Sequence, residues 1–170
     1  MRRLILLRHA KAYTPAGASD HERPLAPRGQ RQAEVIGRYM AEHDLIPDLA
    51  IVSTALRAQE TWKLALASFG RPVPVHSERR LYEATTSELL AVVNEADDAA
   101  KTLLMVGHNP GFERLTAYLA GQGEATAATR LQREFPTAGL AVIDFSAVHW
   151  RDIGEAAGYL ERFETVATIG

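Results

Sequence analysis

The apolar residues of this chain fall into short uninterrupted runs, separated by polar stretches in which apolar positions recur at helical spacing. Leu4-Ile5-Leu6-Leu7 is the first such run. Four apolar residues without alternation predict a strand buried on both faces, the pattern of a central parallel strand. Leu49–Val52 and Thr102–Val106 repeat it, and Gly139–Phe145 predicts a further strand. Val73–His76 predicts a short strand nearer an edge, because Pro74 has no N–H to give a ladder. Tyr159–Val166 predicts either a last edge strand or the end of the domain.

Helices fill the intervals. Ala33, Ile36, Gly37 and Met40 recur at helical spacing, predicting a helix from about Arg28-Gly29 to His43. Ser53 or Thr54 is expected to cap a helix to about Phe69, which Gly70-Arg71-Pro72 stops. Thr85 or Thr86 is expected to cap another to about Glu95. Asn109 suits an N-cap and Pro110 the first helical position, predicting a helix to about Ala120. Residues 11–27 and 121–129 predict loops, the first long enough to suggest a functional one. Strands alternating with helices imply an α/β sandwich, parallel at its centre.

Composition narrows the class. The 170 residues suit one domain with a real core, spanning 1–170. A net charge of −2 without a block of like charges argues against a nucleic-acid binder or a membrane-surface binder. There is no cysteine, which excludes disulfides and thiolate chemistry and fits a reducing compartment. Arg2-Arg3 followed by Leu4–Leu7 resembles a signal peptide only superficially. The apolar core is too short and Arg8, His9 and Lys11 interrupt it, so the expected location is the cytoplasm.

Three strand-to-helix transitions carry chemistry. The first presents Arg8 and His9, the second Arg57, the third His108. Ligands of open α/β sheets bind outside the carboxyl ends of the strands. If the three strands are parallel neighbours, about 4.8 Å apart, these side chains share one phosphate-sized site. An arginine in the first turn of a helix is electrostatically awkward in an empty site, and a bound dianion removes the conflict. Arginine also matches phosphate oxygens with a planar fork. A histidine beside cations is neutral near pH 7, and its free nitrogen can attack phosphorus. No His, Asp and Glu cluster has metal-ligand spacing, so neither a metal nor another cofactor is expected.

Arg8-His9-Ala10 after the first strand, Ser53-Thr54-Ala55-Leu56-Arg57-Ala58-Gln59-Glu60-Thr61, and Val106-Gly107-His108-Asn109-Pro110 together resemble the histidine phosphatase superfamily. The short chain resembles its SixA-type phosphohistidine phosphatases. Arg23-Pro24-Leu25 with Arg28-Gly29 resembles that branch's first loop, and Phe135-Pro136-Thr137-Ala138 its segment before the fifth strand. The resemblance implies a three-layer α/β/α sandwich, phosphoglycerate mutase-like, whose mostly parallel sheet includes an antiparallel strand. It implies that His9 is phosphorylated, that Arg8, Arg57 and His108 form the phosphate pocket, and that Arg23 is a further substrate contact. Glu83 lies roughly where the mutase-like branch carries its general acid, and Asp20 is a second candidate for that role.

The expected function is a metal-independent phosphatase working through a phosphohistidine, acting on protein phosphohistidine. Small phosphomonoesters or phosphoanhydrides are the alternative substrates, and a non-catalytic phosphate-binding module is an alternative of another class. The expected partner is therefore a phosphorylated protein or small phosphorylated molecule, with no nucleic acid and no membrane, and with the oligomeric state open. His21 is expected in the first loop, within possible reach of substrate. His43, His76 and His149 are expected to be structural, and Trp62 to lie in the core.

Overall fold

The computed structural model describes residues 1–169. Its centre is β1 (Arg2–Arg8), whose Leu4, Ile5, Leu6 and Leu7 have no exposed surface. Side chains of a strand alternate between faces. Leu4 and Leu6 enter one apolar cluster, and Ile5 and Leu7 enter a second on the opposite side. Burying each such side chain contributes roughly 1.5–3 kcal/mol. This double burial is what the unbroken apolar run encodes.

Six further strands join β1: β2 (Leu49–Ser53), β3 (Val75–Glu78), β4 (Thr102–Gly107), β5 (Ala120–Gly123), β6 (Leu140–Phe145) and β7 (Gly158–Glu164). Their order is β3-β2-β4-β1-β6-β7-β5. β1, β4, β2 and β3 run parallel, whereas β6 is antiparallel to both β1 and β7. Helices α1 (Pro27–Glu42) and α2 (Leu56–Leu66) cover the face of Ile5 and Leu7. Helices α3 (Thr86–Asn94), α4 (Gly111–Leu119) and α5 (Ala125–Arg133) supply the other layer. A short α6 (Val166–Ile169) ends the described chain. This is the expected three-layer sandwich, mostly parallel with antiparallel members. Among the described residues no helix is long and apolar enough to cross a membrane.

Several boundaries differ from the sequence expectation. β7 is not an edge strand: it lies between β6 and β5. The edge is β5, inside the stretch expected to be a loop, and α5 also begins there. β5 reads Ala-Gly-Gln-Gly, with no apolar run, and α5 puts only Ala127 and the partly buried Leu131 on the core. β3 starts two residues later than expected, and the Pro74 carbonyl before it accepts from Ala50 N–H at 3.0 Å. It does form an edge.

The helix starts near the expected site also shift. α2 has Ala55 at its N-cap with no side-chain cap, because Ser53 and Thr54 bond elsewhere. α4 begins at Gly111 with Pro110 at the cap position. Asn109 Oδ1 still accepts from Glu113 N–H at 3.2 Å, while its Nδ2 donates to the Phe135 carbonyl at 2.8 Å. α3 follows expectation: Thr85 and Glu88 form a reciprocal capping box.

Candidate active site

β2, β4 and β1 are consecutive parallel neighbours, so their carboxyl ends lie side by side. Arg8 stands opposite Gly107, and Val52 opposite Val106. His9, His108 and the start of α2 therefore emerge together. The His9 and His108 rings are 5.1 Å apart, centroid to centroid, inclined at 54°. His9 N–H donates to the Gly107 carbonyl at 2.9 Å, fastening one strand end to the other.

The His9 ring has a defined tautomer. Its Nδ1 lies 2.8 Å from the Ala10 carbonyl, which can only accept. Nδ1 therefore carries the proton and Nε2 the lone pair. Burial, then the positive charges of Arg57, Arg8 and Arg23, push the His9 pKa down to about 4. Burial above all, with His9 and Arg57 adding to it, takes His108 down to about 3. Both imidazoles are neutral at physiological pH.

Four nitrogens around these rings are buried without partners among the described residues: Arg8 Nε, Arg23 Nε, Arg57 Nε and His108 Nδ1. Buried polar groups are nearly always satisfied, so four orphans on neighbouring residues call for a ligand. Three of them are guanidinium N–H donors, which suits an oxyanion. Arg8 is further held by Nη1 donating to the Phe135 carbonyl at 3.0 Å.

The first loop reaches into this group. Asp20, in the 3-10 turn Asp20–Glu22, receives three donors on its carboxylate: Arg57 Nη2 at 3.1 Å, Arg23 Nη1 at 3.0 Å and the Tyr82 hydroxyl at 2.5 Å. Tyr82 first, then the two arginines, hold that carboxyl far below its usual range. A carboxyl so fully ionised has no proton to give. Glu83 is exposed, has a left-handed backbone (φ 53°), and lines the same cleft of about 730 Å³ as Arg57 and His108. His21 follows Asp20 in the turn, with Nε2 2.9 Å from Thr54 Oγ1 and its ring edge-on to Tyr82. The structure thus gathers every candidate from the sequence, with Glu83 on the wall rather than among the buried groups.

Residues not singled out by sequence hold the site in shape. Thr61 Oγ1 accepts from Ala10 N–H at 3.0 Å and donates to the Arg57 carbonyl at 2.7 Å. Gln32 Oε1 accepts from Lys11 N–H at 2.9 Å, and Glu60 Oε1 from Leu25 N–H at 2.7 Å. Their signal was present, since Glu60 and Thr61 lie in the same stretch as Arg57. Among the described residues, no three His, Asp or Glu side chains gather as metal ligands would.

A family model for the histidine phosphatase superfamily (branch 1) matches residues 4–91. The chain belongs to the histidine phosphatase superfamily, and to its SixA-type branch. It is a phosphatase, hence a hydrolase. It is 37% identical to an uncharacterized protein of Mycobacterium tuberculosis, over 92% of this chain and 98% of the other. Among solved structures it resembles a candidate phosphohistidine phosphatase SixA from Nakamurella multipartitia, with TM-score 0.83 and 31% identity. That match covers 97% of this chain and 96% of that one. A second candidate SixA, from Agrobacterium tumefaciens, gives TM-score 0.79 at 31% identity, covering 96% and 97%.

Proposed function

We propose that this chain, acting as one domain, hydrolyses phosphohistidine on another protein by way of a phosphohistidine of its own at His9. The observation that carries this reading is the His9 ring: neutral, with its proton pinned on Nδ1 and unpartnered cationic donors around it. The His9 Nε2 lone pair forms a bond to phosphorus as the P–N bond to the leaving imidazole breaks. That imidazole takes its proton from solvent. Water then attacks the phosphoryl group, the P–Nε2 bond breaks, and inorganic phosphate leaves with His9 neutral again. Arg8, Arg57 and His108 hold the equatorial oxygens, where charge stabilisation provides most of the catalysis. Arg23 steadies Asp20 and adds positive charge at the rim.

This chemistry uses no metal, since the guanidinium groups supply the positive charge. Activity is expected to survive exhaustive treatment with chelator. The similarity to candidate phosphohistidine phosphatases supports the substrate class. Glu83 favours a second reading, in which the substrate is a small phosphate ester. An oxygen leaving group needs a proton, and Glu83 lines the cleft beside His108 and Arg57.

The deciding experiment compares wild type with His9→Ala and Glu83→Gln on a phosphohistidine protein and on small phosphomonoesters. His9→Ala is expected to abolish turnover of both while the fold persists. Glu83→Gln is expected to spare phosphohistidine. A large loss with both substrates would put Glu83 in the main reaction, and activity surviving in His9→Ala would falsify the mechanism.

A further inference from the structure

Ser53 ends β2 with no exposed surface, and its hydroxyl is shared between the backbone and the second histidine. Oγ accepts from Ala55 N–H at 3.2 Å and lies 2.7 Å from His108 Nε2. A serine hydroxyl has one hydrogen to donate, and an imidazole nitrogen is either donor or acceptor. Two arrangements therefore fit the short contact. In one, Nε2–H donates to Ser53 and Nδ1 carries a lone pair. In the other, Ser53 O–H donates to Nε2 and the ring proton sits on Nδ1.

Two observations separate them. In the first arrangement the Ser53 hydrogen finds no acceptor among the described residues. In addition, His108 Nδ1, the ring nitrogen not held by Ser53, is buried and has no partner among the described residues. A lone pair there would repel the oxygens of any phosphoryl group held by Arg8 and Arg57. A proton there makes His108 a donor like the three orphan arginine nitrogens beside it.

We propose that Ser53 is a positioning residue that sets the tautomer of His108, donating to Nε2 so that Nδ1–H is presented to a phosphoryl oxygen. What Nδ1–H meets, and the repulsion argument, rest on the phosphatase reading, whereas the missing acceptor for the Ser53 hydrogen supports the tautomer without it. Ser53 thereby performs for His108 what the Ala10 carbonyl performs for His9. Both rings then carry the proton on Nδ1 but present opposite ends: His9 offers the Nε2 lone pair to phosphorus and His108 offers the Nδ1 hydrogen to oxygen. Gln59 Nε2 donates to the Ser53 carbonyl at 2.8 Å and keeps the strand end in place for this task.

Long-range proton–nitrogen correlation spectra of the imidazole nitrogens distinguish the two neutral tautomers directly. In the wild-type protein His108 is expected to show the Nδ1–H pattern, and inorganic phosphate is expected to shift that nitrogen. A neutral Nε2–H pattern in the wild type would overturn the proposal. Ser53→Ala is expected to convert His108 partly or wholly to the Nε2–H form. Loss of one neutral hydrogen bond's worth of organisation, up to about 1.4 kcal/mol, corresponds to a fall of about tenfold in orthovanadate affinity. Ser53→Thr, which keeps the hydroxyl, is expected to keep the wild-type tautomer. An Ser53→Ala spectrum identical to wild type would also overturn the assignment. A wild-type Nδ1–H pattern in a protein that hydrolyses no phosphorylated substrate would leave the tautomer standing and remove the phosphatase reading alone.

Discussion

Asp20 holds Arg57 from two sides, its carboxylate 3.1 Å from Nη2 and its backbone carbonyl 2.7 Å from Nη1. A phosphoryl group drawn to Arg57 therefore arrives beside a negative charge already bound there. The backbone contact persists when the carboxylate is neutralised, so Arg57 keeps its orientation. Asp20→Asn is accordingly expected to tighten orthovanadate binding several-fold. The gain is modest because the Asp20 side chain is 53% exposed and solvent screens it. Inhibition constants measure this, and weaker binding in Asp20→Asn would mean that the carboxylate's hold on Arg57 outweighs its charge.

The two buried imidazoles predict an acid-labile fold. An unfolded histidine takes up its proton near pH 6.5, but folded His9 resists until about 4. Between those values the unfolded chain binds more protons, so stability falls as pH falls. Each histidine contributes about 1.4 kcal/mol per pH unit across its window. His108 acts in the same sense down to about 3. Urea unfolding of wild type and His9→Gln over this range should show a shallower pH slope in the variant. Equal slopes would contradict a neutral, buried His9.

Gly29 explains the Arg-Gly pair of the first loop. A Cβ at this position would lie 1.9 Å from the Lys11 carbonyl oxygen, which also accepts from Ala26 N–H. Lys11 follows the His9-Ala10 turn, so a displaced Lys11 shifts the reacting ring. Gly29→Ala is expected to cost on the order of 1–3 kcal/mol of stability and to lower kcat. Thermal unfolding with steady-state kinetics checks both effects. Unaltered kcat would show that the turn absorbs the shift before it reaches His9.

Thr61 supports the same turn from below. Thr61→Val leaves the Ala10 N–H buried without its acceptor, at a cost of about 1–3 kcal/mol. The expected kinetic result is a fall in kcat larger than any change in KM, with recovery in Thr61→Ser. A change confined to KM would place the effect in substrate docking rather than in His9 placement.

How much of this could be read from the chain follows from where each signal resides. β1 was legible because Leu4–Leu7 is apolar on both faces, and the neighbouring strand ends gathered Arg8, His9, Arg57 and His108 through parallel pairing. β5 and α5 were not, since Ala120–Gly123 holds no apolar run and Ala125–Arg133 marks its buried face with only Ala127 and Leu131. Ser53 and Thr54 were misread as helix caps. Their hydroxyls have the right chemistry for a cap, but His108 and His21 recruit them through contacts between residues distant in sequence. The Tyr82–Asp20 bond joins a connector to a loop across 62 positions, a distance no local pattern encodes.

The central claim is that His9 becomes phosphorylated during turnover. Rapid acid-free quenching of wild type with a phosphohistidine protein, followed by peptide mass spectrometry, tests it most directly. The account predicts a phosphoryl group on the His9 peptide, gone in His9→Ala and removed again as turnover proceeds. Turnover with no phosphoryl group on His9 at any time, or with the group on His108 instead, would contradict it.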